Sequence, residues 1–236
     1  EFFKKFVAYF LDLRCIFCND RNLNAEIGFI CDKCLNAFLT NDTETAKCPV
    51  CSHPLKNSLE CPSCSAIGKI YYDSYSYIQY YTDFFRNAAV MWKKNESFLV
   101  NVLFFKLLLK KKLLSKNIPI TVVPDNFIKG FKKGRASLDY LLKLLKREGY
   151  KTLPNIYKKR LFLSKSQKSK TKTQRINEIE KTFFLPEENV NKFDGEVCLL
   201  DDIYTTGSTL NYGSKLLKEA GFKKVRIVSF FRTILE

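Results

Sequence analysis

Towards the carboxyl end of the chain, short apolar runs alternate with a polar loop and a mixed stretch of helical character. Val197, Cys198, Leu199 and Leu200 form an unbroken apolar run ending in Asp201 and Asp202, which predicts a buried strand over Glu196 to Ile203. Leu210 to Ala220 reads as a helix closed by Gly221, and Lys223 to Phe231 reads as a second strand. The order strand, loop, helix, strand predicts a parallel crossover unit. Its loop, Tyr204 to Thr209, stands at the carboxyl end of a strand, where ligands bind in open α/β sheets.

At the other end, Phe2, Phe3, Phe6, Val7, Phe10 and Leu11 recur at helical spacing, which predicts a helix lying on the core, with a membrane surface as the alternative. The opening lacks the unbroken apolar segment and small-residue cleavage site of a secretory signal. The longest apolar stretch, Phe98 to Leu114, is interrupted by Asn101, Lys106 and Lys110-Lys111-Lys112, so no apolar run spans a bilayer. Tyr77, Tyr80 and Tyr81 lie in a strand-rich apolar stretch. They and Trp92 read as core aromatics, with base stacking as the alternative.

Cysteine placement divides the chain. Its 236 residues accommodate one α/β domain of about 150 residues and a smaller module. Of nine cysteines only Cys198 lies beyond Cys64, so a boundary is expected near Gly68, separating a module at 1–68 from a domain at 69–236. Cys198, inside a predicted strand, reads as a small buried hydrophobe.

The other cysteines form four Cys-x-x-Cys pairs: Cys15 with Cys18, Cys31 with Cys34, Cys48 with Cys51, and Cys61 with Cys64. Each such turn aims two sulfurs at one point, and two turns complete a tetrahedral zinc cage with Zn–S distances of about 2.3 Å. A disulfide framework is the competing reading, but it needs an oxidising compartment, and no secretory signal is visible. Four pairs make two sites and can be divided in three ways. Pairing of neighbours is preferred, because Cys31-x-x-Cys34 runs straight into the helix-like Leu35 to Leu39, and the two Cys-Pro-x-Cys turns look like a small ribbon. A cross-braced arrangement stays open. His53, the only histidine, reads as a bystander beside so many thiolates. Closed four-sulfur sites are structural: they hold together a fragment too small for its own core.

The chemistry of the predicted loop is specific. Gly207 lets the backbone turn sharply and approach a phosphate, while the amides that open the following helix direct positive dipole ends at an anion. Thr205, Thr206, Ser208 and Thr209 add hydroxyl donors, and Asp201 and Asp202 stand where a ribose offers two hydroxyls. Together these residues resemble the phosphoribosyl pyrophosphate loop of type I phosphoribosyltransferases.

Joined to four cysteine pairs, that loop is similar to the pattern of the ComF competence family, and the resemblance covers nearly the whole chain. Val123-Pro124 followed by Lys129, Lys132, Lys133, Gly134 and Arg135 resembles the family's strand end and basic stretch, although its Phe-Asn-Gln is absent here. Ser164, Gln167, Arg175 and Thr182-Phe183 resemble a later motif of the family. The resemblance implies a type I phosphoribosyltransferase-like α/β fold, a parallel sheet flanked by helices, behind a small zinc-binding module. It implies Asp201 and Asp202 on the ribose hydroxyls and Thr205, Thr206, Gly207, Ser208 and Thr209 around the 5-phosphate. Lys129, Lys132, Lys133, Arg135, Gln167 and Arg175 would face pyrophosphate or DNA. Mg2+ would accompany phosphoribosyl pyrophosphate, and the polar, lysine-rich stretch Lys165 to Lys172 would form a hood over the site.

Charge extends this picture. The net charge of +16, from 40 Lys and Arg against 24 Asp and Glu, makes a polyanionic partner electrostatically reasonable. The expected function is that of a cytoplasmic competence protein, with peripheral contact at the inner membrane face as an alternative location. Such a protein binds phosphoribosyl pyrophosphate, handles single-stranded DNA during natural transformation and meets other DNA-uptake proteins. Two alternatives keep the same loop: a phosphoribosyltransferase using Asp201 and Asp202 in catalysis, and a regulator sensing phosphoribosyl pyrophosphate. No pocket for an incoming base is recognisable in the sequence, so catalysis is left undecided.

Overall fold

The computed structural model describes residues 12–40, 46–55, 60–93, 98–124, 137–153, 156–159 and 183–234. Four parallel strands form the central sheet, β1 (Ser74–Tyr80), β2 (Ile120–Val122), β5 (Glu196–Tyr204) and β6 (Lys224–Arg232), in the order β1-β6-β5-β2. A separate antiparallel ribbon pairs β3 (Lys158–Lys159) with β4 (Phe183–Phe184). The helices are α1 (Asp32–Leu39), the single turn α2 (Pro62–Ser65), α3 (Asp83–Lys93), α4 (Phe98–Lys110), α5 (Ser137–Arg147) and α6 (Ser208–Glu219).

The apolar run Val197–Leu200 occupies β5, a central strand covered on both faces, as continuous hydrophobicity in a parallel strand requires. Alternate residues feed two cores. Cys198 and Leu200 join Leu103, Phe104, Leu141 and Phe230 on the face carrying α3, α4 and α5. Val197 and Leu199 join Leu210, Leu217, Val225 and Ile227 on the face carrying α6. Cys198 is buried as expected, and burial pushes its thiol up to about 12.

The predicted strand, helix and strand are present, with shifted boundaries. β5 runs one residue further than Ile203, to Tyr204, where pairing with Arg232 of β6 continues the ladder. The helix starts at Ser208 rather than Leu210. Gly207 adopts φ 78°, a left-handed turn open to glycine at little cost, and its carbonyl accepts the first helical bond, from the Asn211 amide at 2.8 Å.

The cysteine-rich module packs into both cores. Cys15, Cys31, Cys34 and Phe38 belong to the α4 face, while Cys48 and Cys51 belong to the α6 face. The module thereby packs on both faces of the sheet. Gln79 donates through its side-chain amide to the carbonyls of Ala37 and Thr40, at 2.8 and 2.6 Å. Lys111 donates to the Ile78 carbonyl at 2.6 Å, and burial followed by the nearby charge of Lys47 draws its amine down to about 8. Tyr77 and Tyr80 are buried in the second core, the packing role expected of them. Tyr81 is half-buried against the first.

Among the described residues no helix is long and apolar enough to cross a membrane. The expected helix at the start of the chain, the side chain of Trp92 and the lysine-rich stretch Lys165 to Lys172 lie outside what is described.

Candidate functional site

The loop leaves β5 at Tyr204 and enters α6 at Ser208, so Asp201, Asp202 and Thr205 to Thr209 form one contiguous lip at the carboxyl end of a central strand. Thr205 is exposed, while Thr206, Ser208 and Thr209 are half-buried. The Thr206 and Ser208 hydroxyls hydrogen-bond each other at 3.0 Å, and the Ser208 amide donates to Thr206 Oγ1 at 3.4 Å. The first amides of α6 have no acceptor within the helix, and their dipole ends favour an anion in front of the loop.

Both aspartates are half-buried. Asp201 Oδ1 accepts from the Asp202 amide at 2.8 Å, and Asp202 Oδ1 accepts from the Ile203 amide at 2.6 Å. These contacts fix one oxygen of each carboxylate beside the backbone. The distribution of side chains changes phase here. Leu199 belongs to the α6-side core and Leu200 to the other, but Ile203 packs on the α4 side and Tyr204 on the α6 side. The two acids therefore occupy the point at which the strand reverses its inside-outside parity.

Beneath the loop lies a layer of tyrosines. Tyr204 is fully buried, shares a 3.0 Å hydrogen bond with Tyr72, and packs at a tilt of 37° against Tyr75 with ring centroids 4.6 Å apart. Burial pushes the Tyr204 phenol up to about 12, so it is neutral throughout the physiological range. Tyr75 in turn shares a 2.8 Å hydrogen bond with Ser229 of β6.

Arg232, at the end of β6, is completely buried. Its guanidinium donates to the carbonyls of Thr205 at 3.0 Å, Thr233 at 2.6 Å, Tyr204 at 3.4 Å and Cys51 at 3.1 Å, and to Ser63 Oγ at 3.0 Å. It also lies over the Tyr204 ring, 4.3 Å from the centroid. Behind the loop, Asn211 of α6 bridges to the segment leaving the module: its Oδ1 accepts from the Tyr71 amide and its Nδ2 donates to the Lys69 carbonyl, both at 2.9 Å.

The cysteines assemble as neighbours. Cys15, Cys18, Cys31 and Cys34 form one group and Cys48, Cys51, Cys61 and Cys64 another, with the sulfurs of each group within 4.8 Å of one another. Sulfur separations of 3.5 Å for Cys18 to Cys31, 3.7 Å for Cys48 to Cys64 and 3.5 Å for Cys51 to Cys61 are too long for a disulfide. They approach the separation of about 3.8 Å expected around a tetrahedral ion at Zn–S distances of about 2.3 Å. Gathering four thiols at one point makes their simultaneous ionisation costly. Burial pushes Cys15 up, but backbone amides including that of Cys31 outweigh it and hold it down at about 7. Burial and neighbouring thiols push Cys34 and Cys64 well up. A dication resolves that conflict by taking all four as thiolates, so both groups are consistent with structural zinc. His53 is buried but belongs to neither group.

Lys129, Lys132, Lys133, Arg135, Gln167 and Arg175, the expected pyrophosphate or DNA contacts, lie outside the described residues. Sequence reasoning missed Arg232, Tyr204, Tyr72 and Asn211. The available signal was the arginine closing the apolar run Ile227 to Phe231, where a charge at a strand end reads as solvated unless its partners are known.

The fold and site define an α/β protein with a four-stranded parallel sheet, a glycine-turned strand-to-helix loop and two amino-terminal four-cysteine clusters. The chain is homologous to the competence protein ComFC of Streptococcus pneumoniae, with 28% identity over 224 residues, covering 89% of this chain and 90% of that protein. No family model matches the chain.

Proposed function

We propose that this ComFC-like chain binds phosphoribosyl pyrophosphate at Asp201 to Thr209 and handles single-stranded DNA during natural transformation. The observation that carries the ligand is the left-handed Gly207, which opens α6 directly behind two carboxylates at the end of β5. In this reading Asp201 and Asp202 accept hydrogen bonds from the ribose hydroxyls, while the loop hydroxyls and the first amides of α6 hold the 5-phosphate. Mg2+ bound with the ligand would neutralise charge on the pyrophosphate. Lys129, Lys132, Lys133, Arg135, Gln167 and Arg175 are assigned to pyrophosphate or DNA by family resemblance.

The DNA role is supported by the relative's name as a competence protein and by the net charge of +16. Residues 1–68 act as a zinc-stabilised module and 69–236 as the ligand-binding domain. A second reading, transfer of the phosphoribosyl group to a base, is favoured by the adjacent carboxylates alone. Isothermal titration with magnesium and phosphoribosyl pyrophosphate tests the binding reading. Saturable one-site binding supports it, and absence of heat at millimolar ligand refutes it. Pyrophosphate release that requires an added nucleobase, and is lost with Asp201→Asn and Asp202→Asn, would establish the transferase.

A further inference from the structure

We propose that the second cysteine cluster sets the shape of the ligand loop through Arg232, so that metal at Cys48, Cys51, Cys61 and Cys64 and ligand at the loop favour one another's binding. The proposal rests on the reading that the loop is the ligand site and that the cluster holds zinc.

The connection is direct. One edge of the guanidinium fork reaches the cluster: Nε donates to the Cys51 carbonyl at 3.1 Å, and Nη2 donates to Ser63 Oγ at 3.0 Å and faces Cys51 Sγ at 3.9 Å. Ser63 itself sits between Cys61 and Cys64 in α2. Another edge reaches the loop, where Nη1 donates to the carbonyls of Tyr204 and Thr205 at 3.4 and 3.0 Å. A planar five-donor guanidinium can span two such surfaces, which a lysine ammonium cannot match.

Electrostatics gives the link its direction. Arg232 is a fully buried cation, and among the described residues its partners are carbonyls, a hydroxyl, an aromatic ring and sulfur, with no carboxylate. A buried charge is tolerated when it is paired. Zinc held by four thiolates would make a net dianion, and one of those sulfurs, Cys51 Sγ, is 3.9 Å from Nη2 of Arg232. The loaded cluster is therefore the counter-charge that keeps the guanidinium in place.

Geometry then gives the consequence for the ligand. In a trans peptide the N–H points opposite the preceding C=O. Holding the Thr205 carbonyl inward turns the Thr206 amide outward, to the side of the proposed 5-phosphate, while the Tyr204 carbonyl is also held by the Thr233 amide at 3.0 Å. Arg232 is thus a positioning residue, acting through the backbone rather than touching the ligand. By linkage, whatever metal does for ligand affinity, ligand does for metal retention.

The test uses the full chain, zinc-loaded, and reads amide hydrogen exchange over residues 203–210 without ligand, with zinc content measured in parallel. Arg232→Lys, which keeps the charge and loses the fork, should retain its zinc and exchange about tenfold faster in the loop, with α4 unchanged. Ser63→Ala should act in the same direction more weakly, and it decides the matter if Arg232→Lys does not fold. Phosphoribosyl pyrophosphate with magnesium should slow zinc transfer from the wild type to a chromophoric chelator, and should do so less in either variant. Loop exchange within about twofold of wild type in the folded variants would overturn the coupling. If the wild type binds no phosphoribosyl pyrophosphate, the ligand reading fails, while the exchange comparison still decides whether Arg232 links cluster and loop.

Discussion

The ring of Tyr204 lies directly beneath Gly207, so that a Cβ added to the glycine would fall on its hydroxyl end. The loop thus rests on a buried aromatic floor that leaves space for a backbone and nothing more. Gly207 is also at φ 78°, so Gly207→Ala combines an unfavourable left-handed conformation with a collision. We expect a loss of about 1–3 kcal/mol in urea unfolding and at least about tenfold weaker phosphoribosyl pyrophosphate binding. Unchanged affinity in a folded Gly207→Ala protein would show that the ligand does not depend on this turn.

Asn211 offers an independent check on how the segment that follows the second cysteine cluster is tied to α6. Its side chain is the hydrogen-bond partner of both the Tyr71 amide and the Lys69 carbonyl. Asn211→Ala should lower stability by about 1–3 kcal/mol by removing partners from part-buried backbone groups. A shift in the urea midpoint equivalent to less than about 0.5 kcal/mol would place the tie elsewhere.

The two four-cysteine clusters predict a count and a consequence. Elemental analysis should find about two zinc ions per chain. Because Cys15, Cys31 and Cys34 share a core with Ile78, Phe104 and Phe230, chelation should perturb the near-ultraviolet circular dichroism of the whole domain rather than of the module alone. A protein stripped of zinc with an unaltered near-ultraviolet spectrum would contradict a structural role.

For the DNA role, affinity for labelled single strands should fall steeply as salt rises, since lysines binding phosphates displace counterions. Absence of binding at low salt, or affinity independent of salt, would remove direct DNA handling from the account.

The sequence made the β5, α6 and β6 order legible because a buried parallel strand is continuously apolar and a helix is not. The pairing of cysteine neighbours was also legible, since Cys31 caps a helix beginning at Asp32 and so holds its partner turn close. Tyr77 and Tyr80 pack in the second core, as aromatic residues recurring along a strand lead one to expect. The start of α6 was placed two residues late, because Thr, Ser and Gly suggest a loop until the Gly207 carbonyl is seen accepting the first helical bond. Arg232 was illegible. Its burial depends on carbonyls contributed by Cys51, Tyr204 and Thr205, and no local pattern reveals partners so distant in the chain. The parity reversal between Leu200 and Ile203 is likewise a property of the packed sheet rather than of the run of residues.

Whether Asp201 to Thr209 holds a phosphoribosyl ligand is decided by calorimetric titration of magnesium and phosphoribosyl pyrophosphate into the zinc-loaded protein. One saturable site is expected, its affinity falling about 10- to 100-fold in each of Asp201→Asn and Asp202→Asn, the loss expected when a charged acceptor becomes neutral. No binding by the wild type, or binding that both substitutions leave untouched, would contradict it.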